Sequence, residues 1–254
     1  FVGAAVGASL AGSRPVVELM FMDFIALASD QLVNQAAKLH YVFGDQARCP
    51  LVVRTVAGAG RCYGPTHSQS LEAWFLHVPG LKVVAPSTPA DAKIMLKAAI
   101  RDDNPVLFME HKMLYNTKGP VPASCRADQL PDTARVLVKG TDLTLVAWSW
   151  MVNEAARAAA ELGRQGVRAE VIDLRSLCPL DMDTVVASVK KTGRLLLVEE
   201  GCRTCGVSAE IGFRIFEQAY DYLNAPIRRA TTPDIPIPAS PTLEKAAIPD
   251  CEKI

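Results

Sequence analysis

The sequence predicts an α/β fold: two three-layer α/β/α units with mostly parallel sheets. Three observations predict it. Short apolar, β-branched runs alternate with helix-length amphipathic runs in both halves, the pattern of crossovers onto a parallel sheet. The alternation lapses over 114–134, where Pro120, Pro122, Pro131 and mixed polar residues read as a linker. The length, 254 residues with half of them hydrophobic, suits one large domain or two ordinary ones. The expected organisation is a first domain over 1–113, a linker over 114–134 and a second domain over 135–254.

In order, 1–10 reads as a small-residue helix stopped by Gly12, and 16–20 as a strand. Asp23 is expected to cap a helix over 24–41, with Ile25, Ala28, Leu32, Ala36 and Leu39 near helical spacing. A buried strand at 50–56 leads through a glycine loop to a helix at 68–77. A strand at 81–85, a helix at 90–101 and a strand at 105–110 complete the first unit. The second unit reads as strands at 143–148, 169–173, 194–199 and 227–230, with helices at 151–165, 179–191 and 206–224. Asp181 near the start of the 179–191 helix and Lys190-Lys191 near its end match the helix dipole. The proline-rich tail from Thr232 is expected to lie extended over a surface.

Composition removes several functions. The 27 basic and 27 acidic residues balance, so no global field draws nucleic acid or an anionic membrane. No apolar run approaches a bilayer span. Seven cysteines are irregularly spaced, and only Cys202 and Cys205 form a CxxC. That motif is either a redox pair or half a zinc site, and no second half completes a zinc site. Ordinary reduced thiols and a reducing compartment are expected. Phe1 opens inside a helix-like stretch, so the chain is expected to be a piece of a longer protein.

The chemistry-bearing stretch is Gly58-Ala-Gly-Arg-Cys-Tyr-Gly-Pro-Thr-His-Ser-Gln-Ser70. Strand, glycine loop, polar tip and helix is the layout that presents groups to a ligand at a strand's carboxyl end. His67 sits at the tip, and histidine gives or takes a proton near neutral pH. The plainer reading is a turn made by Gly58, Gly60 and Gly64 with a surface or capping histidine.

Longer strings carry a resemblance. Phe21-Met-Asp-Phe24, Gly64-Pro-Thr-His-Ser-Gln-Ser-Leu-Glu-Ala-Trp74, Pro79-Gly-Leu-Lys-Val-Val84, Pro86-Ser-Thr-Pro-Ala-Asp-Ala-Lys93 and Ala99-Ile-Arg-Asp-Asp-Asn-Pro105 stand in the first unit. Val171-Ile-Asp-Leu-Arg-Ser-Leu-Cys-Pro-Leu-Asp181, Val198-Glu-Glu-Gly201 and Pro233-Asp-Ile-Pro-Ile-Pro238 stand in the second. Together they resemble the β subunit of the thiamine-diphosphate-dependent 2-oxo acid dehydrogenase E1 components, over essentially the whole chain.

The resemblance implies a transketolase-like pyrimidine-binding domain followed by a transketolase C-terminal domain. It implies an α2β2 tetramer with a second β subunit, in which the α subunit holds the diphosphate and Mg²⁺ of thiamine diphosphate. The substrate would be a 2-oxo acid, pyruvate first, and the acyl acceptor a lipoyl group of the E2 dihydrolipoyl acyltransferase. His67 falls on the family's active-site histidine and Phe24 on the aromatic that packs on the aminopyrimidine. Leu51, Ala99, Ile100, Asp102 and Asn104 fall on a site for K⁺, a hard cation suited to oxygen donors. The plainer readings are a core position for Phe24 and a helix-ending turn for 102–105. The family's cofactor-activating glutamate would precede Phe1, so this stretch alone is expected to be inactive. Alternatives are an acetoin or branched-chain member, a non-catalytic scaffold, or a sugar-phosphate enzyme of the same fold. The family's setting is the bacterial cytoplasm or the mitochondrial matrix.

Overall fold

A computed structural model describes residues 1–123 and 129–254. Part of the expected linker, 124–128, lies outside the described residues. The first half carries α1 (Val2–Leu10), β1 (Val16–Leu19), α2 (Leu39–Phe43), β2 (Val52–Ala57), α3 (Glu72–Leu76), β3 (Lys82–Val84), α4 (Pro89–Arg101) and β4 (Val106–His111). The second carries β5 (Arg135–Val138), β6 (Leu143–Ala147), α5 (Met151–Arg164), β7 (Ala169–Asp173), β8 (Ser176–Cys178), α6 (Met182–Thr192), β9 (Leu195–Cys202), α7 (Val207–Ala219), β10 (Arg228–Thr232) and α8 (Pro241–Ala247).

Two five-stranded, mostly parallel sheets result, ordered β1-β2-β4-β3-β8 and β10-β9-β6-β7-β5. Only β8 on β3 and β5 on β7 run antiparallel. The inner strands β2 and β4 are almost wholly buried, which fits their mostly apolar sequence, Arg54 and Glu110 pairing with each other where they break it. Capping follows the sequence closely. The Thr88 side chain accepts from Asp91 N at 3.1 Å with Pro89 opening α4. Asp181 accepts from Thr184 N at 3.1 Å, and Gly193 closes α6 in the left-handed conformation.

Four expectations change. The stretch 24–41 is no single helix: it divides into a 3₁₀ segment Met22–Ala28, a π segment Gln31–Ala36 and α2. Its buried residues, spaced three or four apart, fit all three windings, so periodicity leaves the hydrogen-bond register open. The helix at 68–77 shrinks to α3, because Gln69 O accepts from Gly58 N and Leu71 N donates to Met22 Sδ. Those backbone groups serve tertiary contacts and leave no first turn. The tail contains α8, with Pro241 in its first turn, where a missing N–H costs nothing. Finally β8, from the second half, completes the first sheet, pairing Cys178 with Val83 and Ser176 with Val84.

The halves share one core. Val53, Phe75 and Leu107 belong to the same buried cluster as Trp148, Leu174, Val207 and Ile211. Arg135 bridges them as well, 2.8 Å from Asp91 and 2.7 Å from buried Asp173.

Candidate active site

Everything at this site hangs on the carboxyl end of β2. Gly58 turns the chain there with φ +92, and a Cβ would stand 1.9 Å from His111 Nε2. Only glycine admits both the dihedral and the approach. The loop is then held from the second half. Ala59 N donates to Glu200, at the end of β9. Gly60 N and Cys62 N both donate to Glu244 of α8, at 3.0 and 3.1 Å to Oε1. Glu200 Oε2 lies 2.8 Å from His111 Nε2, both side chains buried. Met113 N donates to His111 Nδ1 at 3.2 Å, which leaves Nε2 as the nitrogen that carries the proton toward Glu200. Burial raises the Glu200 pKa, but the facing His111 and the Ala59 N–H outweigh it and hold the carboxyl below its ordinary range.

At the loop's far end an aromatic cluster forms. The His67 ring meets Phe24 at 5.3 Å and Phe21 at 4.8 Å between centroids, both edge to face. Tyr63 packs on Phe21 at 5.9 Å, and Lys112 Nζ stands 3.8 Å from the Phe21 centroid. Thr66 Oγ1 pairs with His67 Nδ1 at 3.0 Å. Asp23 does not cap a helix. Its Oδ1 accepts from Gln69 Nε2 at 2.8 Å, tying the Phe24 segment to the His67 loop, and its Oδ2 is buried with no partner among the described residues. Phe24 also lines an apolar recess of about 440 Å³ with Phe1, Leu19, Met20 and Leu27.

The five residues read as a cation site lie together at the end of α4 and the edge of β2. Leu51 O accepts from Val106 N at 2.8 Å. Ile100 O and Asp102 O accept from one Arg14 nitrogen, at 3.1 and 2.9 Å. The Asp102 carboxylate is engaged by Lys82 and by Asn104 N at 2.9 Å. The oxygens suit a hard cation, but Arg14 already faces Ile100 O and Asp102 O, Lys82 the Asp102 carboxylate, and backbone N–H groups Leu51 O and Ala99 O, so this arrangement does not fit an added K⁺. No group of three or more His, Cys, Asp or Glu residues could hold a metal among the described residues.

Comparison with known proteins reads directly on this geometry. The family described as "Transketolase, pyrimidine binding domain" matches 1–118, and "Transketolase, C-terminal domain" matches 132–254. The acetoin:2,6-dichlorophenolindophenol oxidoreductase subunit beta of Cupriavidus necator is 46% identical over 254 residues, covering all of this chain and 75% of that protein. The pyruvate dehydrogenase E1 component subunit beta of Rickettsia felis is 46% identical over 250 residues, 98% of this chain and 76% of that protein. The chain belongs to the E1 β-subunit family. An E1 β relative in Rhizobium meliloti, also of pyruvate dehydrogenase, is 47% identical over 257 residues but is longer, this chain spanning 55% of it. A solved structure titled split gene transketolase, inactive beta4 tetramer superposes with TM-score 0.79 at 24% identity, over 99% of this chain and 77% of that one. That likeness carries the fold. No helix among the described residues is long and apolar enough to cross a membrane.

The sequence pointed to His67 and Phe24, which the structure brings together, and not to the residues around them. Glu244, His111, Glu200 and Lys112 all come from elsewhere in the chain. The readable signal was Glu199-Glu200-Gly201: two acids ending a strand otherwise apolar. Beside this site Glu72 Oε1 accepts from Trp148 Nε1 at 3.0 Å, across the seam between the halves. Glu199 accepts from Ser208, and Oε2 of both glutamates is buried with no partner among the described residues. Burial first, and then the Glu72 charge, pushes Glu199 from an ordinary 4.5 up to about 7. A carboxyl raised on folding stabilises the native state below its unfolded pKa and loses that contribution as pH rises through the folded value. Wild type is therefore expected to lose up to about 3 kcal/mol from this group between roughly pH 5 and pH 8. Glu199→Gln should flatten that fall. Urea unfolding of both proteins at the two pH values checks it, and parallel losses would refute it.

Proposed function

We propose that this chain is the β part of a thiamine-diphosphate-dependent 2-oxo acid dehydrogenase E1 component acting on pyruvate. The observation that carries it is the packing of His67 on Phe24, whose segment also lines an apolar recess. The recess and the flat face of Phe24 suit a heteroaromatic ring. When bound, thiamine diphosphate supplies the carbanion-stabilising chemistry of decarboxylation. Phe24 would orient the ring, and His67 Nε2 would hand a proton to a leaving sulfur during acyl transfer to an E2 lipoyl group. An α subunit would grip the diphosphate and Mg²⁺, and a second β subunit would complete α2β2. The units 1–113 and 135–254, joined by 114–134, would together close one side of that shared pocket. A K⁺ ion at Leu51, Ala99, Ile100, Asp102 and Asn104 would have to displace Arg14. The setting would be a reducing one, the bacterial cytoplasm or mitochondrial matrix.

Relatives named for acetoin and for pyruvate match equally well. Lys112 supports pyruvate, because an ammonium beside the His67 cluster attracts a carboxylate and gains nothing from uncharged acetoin. The complete subunit, co-expressed with its α partner and supplied with cofactor, should turn over pyruvate faster than acetoin. Lys112→Met should narrow that preference by about tenfold, the worth of one charged contact. Turnover of acetoin with pyruvate inert would overturn the substrate assignment.

A further inference from the structure

The Cys202-Arg-Thr-Cys205 pair serves none of the contacts above. Cys202 ends β9, Cys205 lies in the turn that leads on to α7, and both residues are exposed. The turn is tightly closed. A Cβ on Gly206 would stand 2.7 Å from Cys202 O, so the residue after the motif folds back on its first. Its middle is pinned, with Arg203 N donating to Thr232 O at 3.0 Å and Thr204 N and Oγ1 donating to Asp234 at 2.9 and 2.6 Å. Cys205 takes the left-handed conformation, φ +57. Cys202, ending the strand, and Cys205, in the turn that folds back on it, flank one tight bend, and a disulfide needs their Cα atoms within about 7 Å.

We propose that Cys202 and Cys205 form a redox-active dithiol, closed to an intrachain disulfide by a small-molecule disulfide such as oxidised glutathione. A CxxC between a strand and a helix is the setting in which paired thiols cycle. Partial shielding of the exposed residue's thiol, then the charges of Asp234, Glu199 and Glu72, push Cys202 up, so the exchange starts from Cys205. Its thiolate attacks one sulfur of the oxidant and expels a thiol. Cys202, losing its proton, then attacks the mixed disulfide and expels the second. The chain gives up two electrons and two protons, and the oxidant becomes two thiols. Cys202 also walls a cavity of about 510 Å³ that Thr66, Ser68 and Gln69 line from the His67 loop. Closing the disulfide therefore changes the wall behind that loop.

The full chain, equilibrated in a glutathione series, alkylated and mapped by mass spectrometry, tests this. The 202–205 peptide should lose both alkylation sites together and become lighter by two hydrogens. At one glutathione poise, the oxidised fraction relative to reduced should be at least about tenfold higher in the folded chain than in urea. Asp234→Ala, which frees Thr204, should erode that advantage. Full alkylation of both thiols, separate glutathione adducts, pairing with another cysteine, or equal oxidation in urea would each overturn the proposal.

Discussion

His67→Ala is expected to cut acyl transfer to a lipoyl acceptor by about 10²- to 10⁴-fold, the range for losing a positioned general acid. The role assigned to Nε2 is protonation of a leaving sulfur. Thr66 holds the other ring nitrogen, and Phe21 and Phe24 fix the ring plane from two sides. A dye such as 2,6-dichlorophenolindophenol takes electrons with no dithiolane to open, so dye reduction by the same variant should fall far less. The assembled enzyme, assayed with both acceptors, gives the comparison. Equal losses with dye and lipoyl acceptor would place His67 in substrate or cofactor binding instead. An unchanged lipoyl rate would remove it from the mechanism.

Glu200→Ala is expected to cost about 3–5 kcal/mol of stability. The carboxylate faces His111 at 2.8 Å in a site closed to solvent and takes the Ala59 N–H as well. Truncation leaves a buried imidazole N–H and a backbone N–H without acceptors, each carrying its full desolvation penalty. Glu200→Gln keeps an acceptor in place and should lose less than half as much. Urea midpoints at neutral pH measure both. A loss under about 1 kcal/mol for the alanine variant would show that water replaces the carboxylate. The glycine loop hangs from the same carboxylate, so the alanine variant should also lower turnover.

Much of the fold was legible because its central strands advertise themselves. Runs such as Val52–Ala57 and Val106–His111 are β-branched or apolar at most positions, without a strict inside/outside alternation, as strands buried on both faces tend to be. The start of α4 after Thr88-Pro89 and the charges at the two ends of α6 were local features, although Asp181 turns out to cap α6 rather than lie inside it. What escaped was set by distant partners. The winding of 22–43 depends on which carbonyls bond which amides, and spacing of buried residues does not fix that. The short α3 follows from Met22 and Gly58 taking backbone groups that a longer helix would need. At the site, residues carried by one contiguous string were readable, as with Phe24 and His67. The carboxylates that hold the loop were not, since Glu200 and Glu244 lie 141 and 182 positions or more along the chain from the amides they receive. No local pattern announces a partner that far away.

The antiparallel strand Ser176–Cys178, which finishes the sheet begun by the first half, sets an order of events during synthesis. Until residue 178 has left the ribosome, the backbone of Lys82–Val84 has an open flank, and open flanks invite pairing with other chains. The two halves are thus interlaced and not merely adjacent, and the first becomes a finished structure only when a piece of the second arrives to seal it.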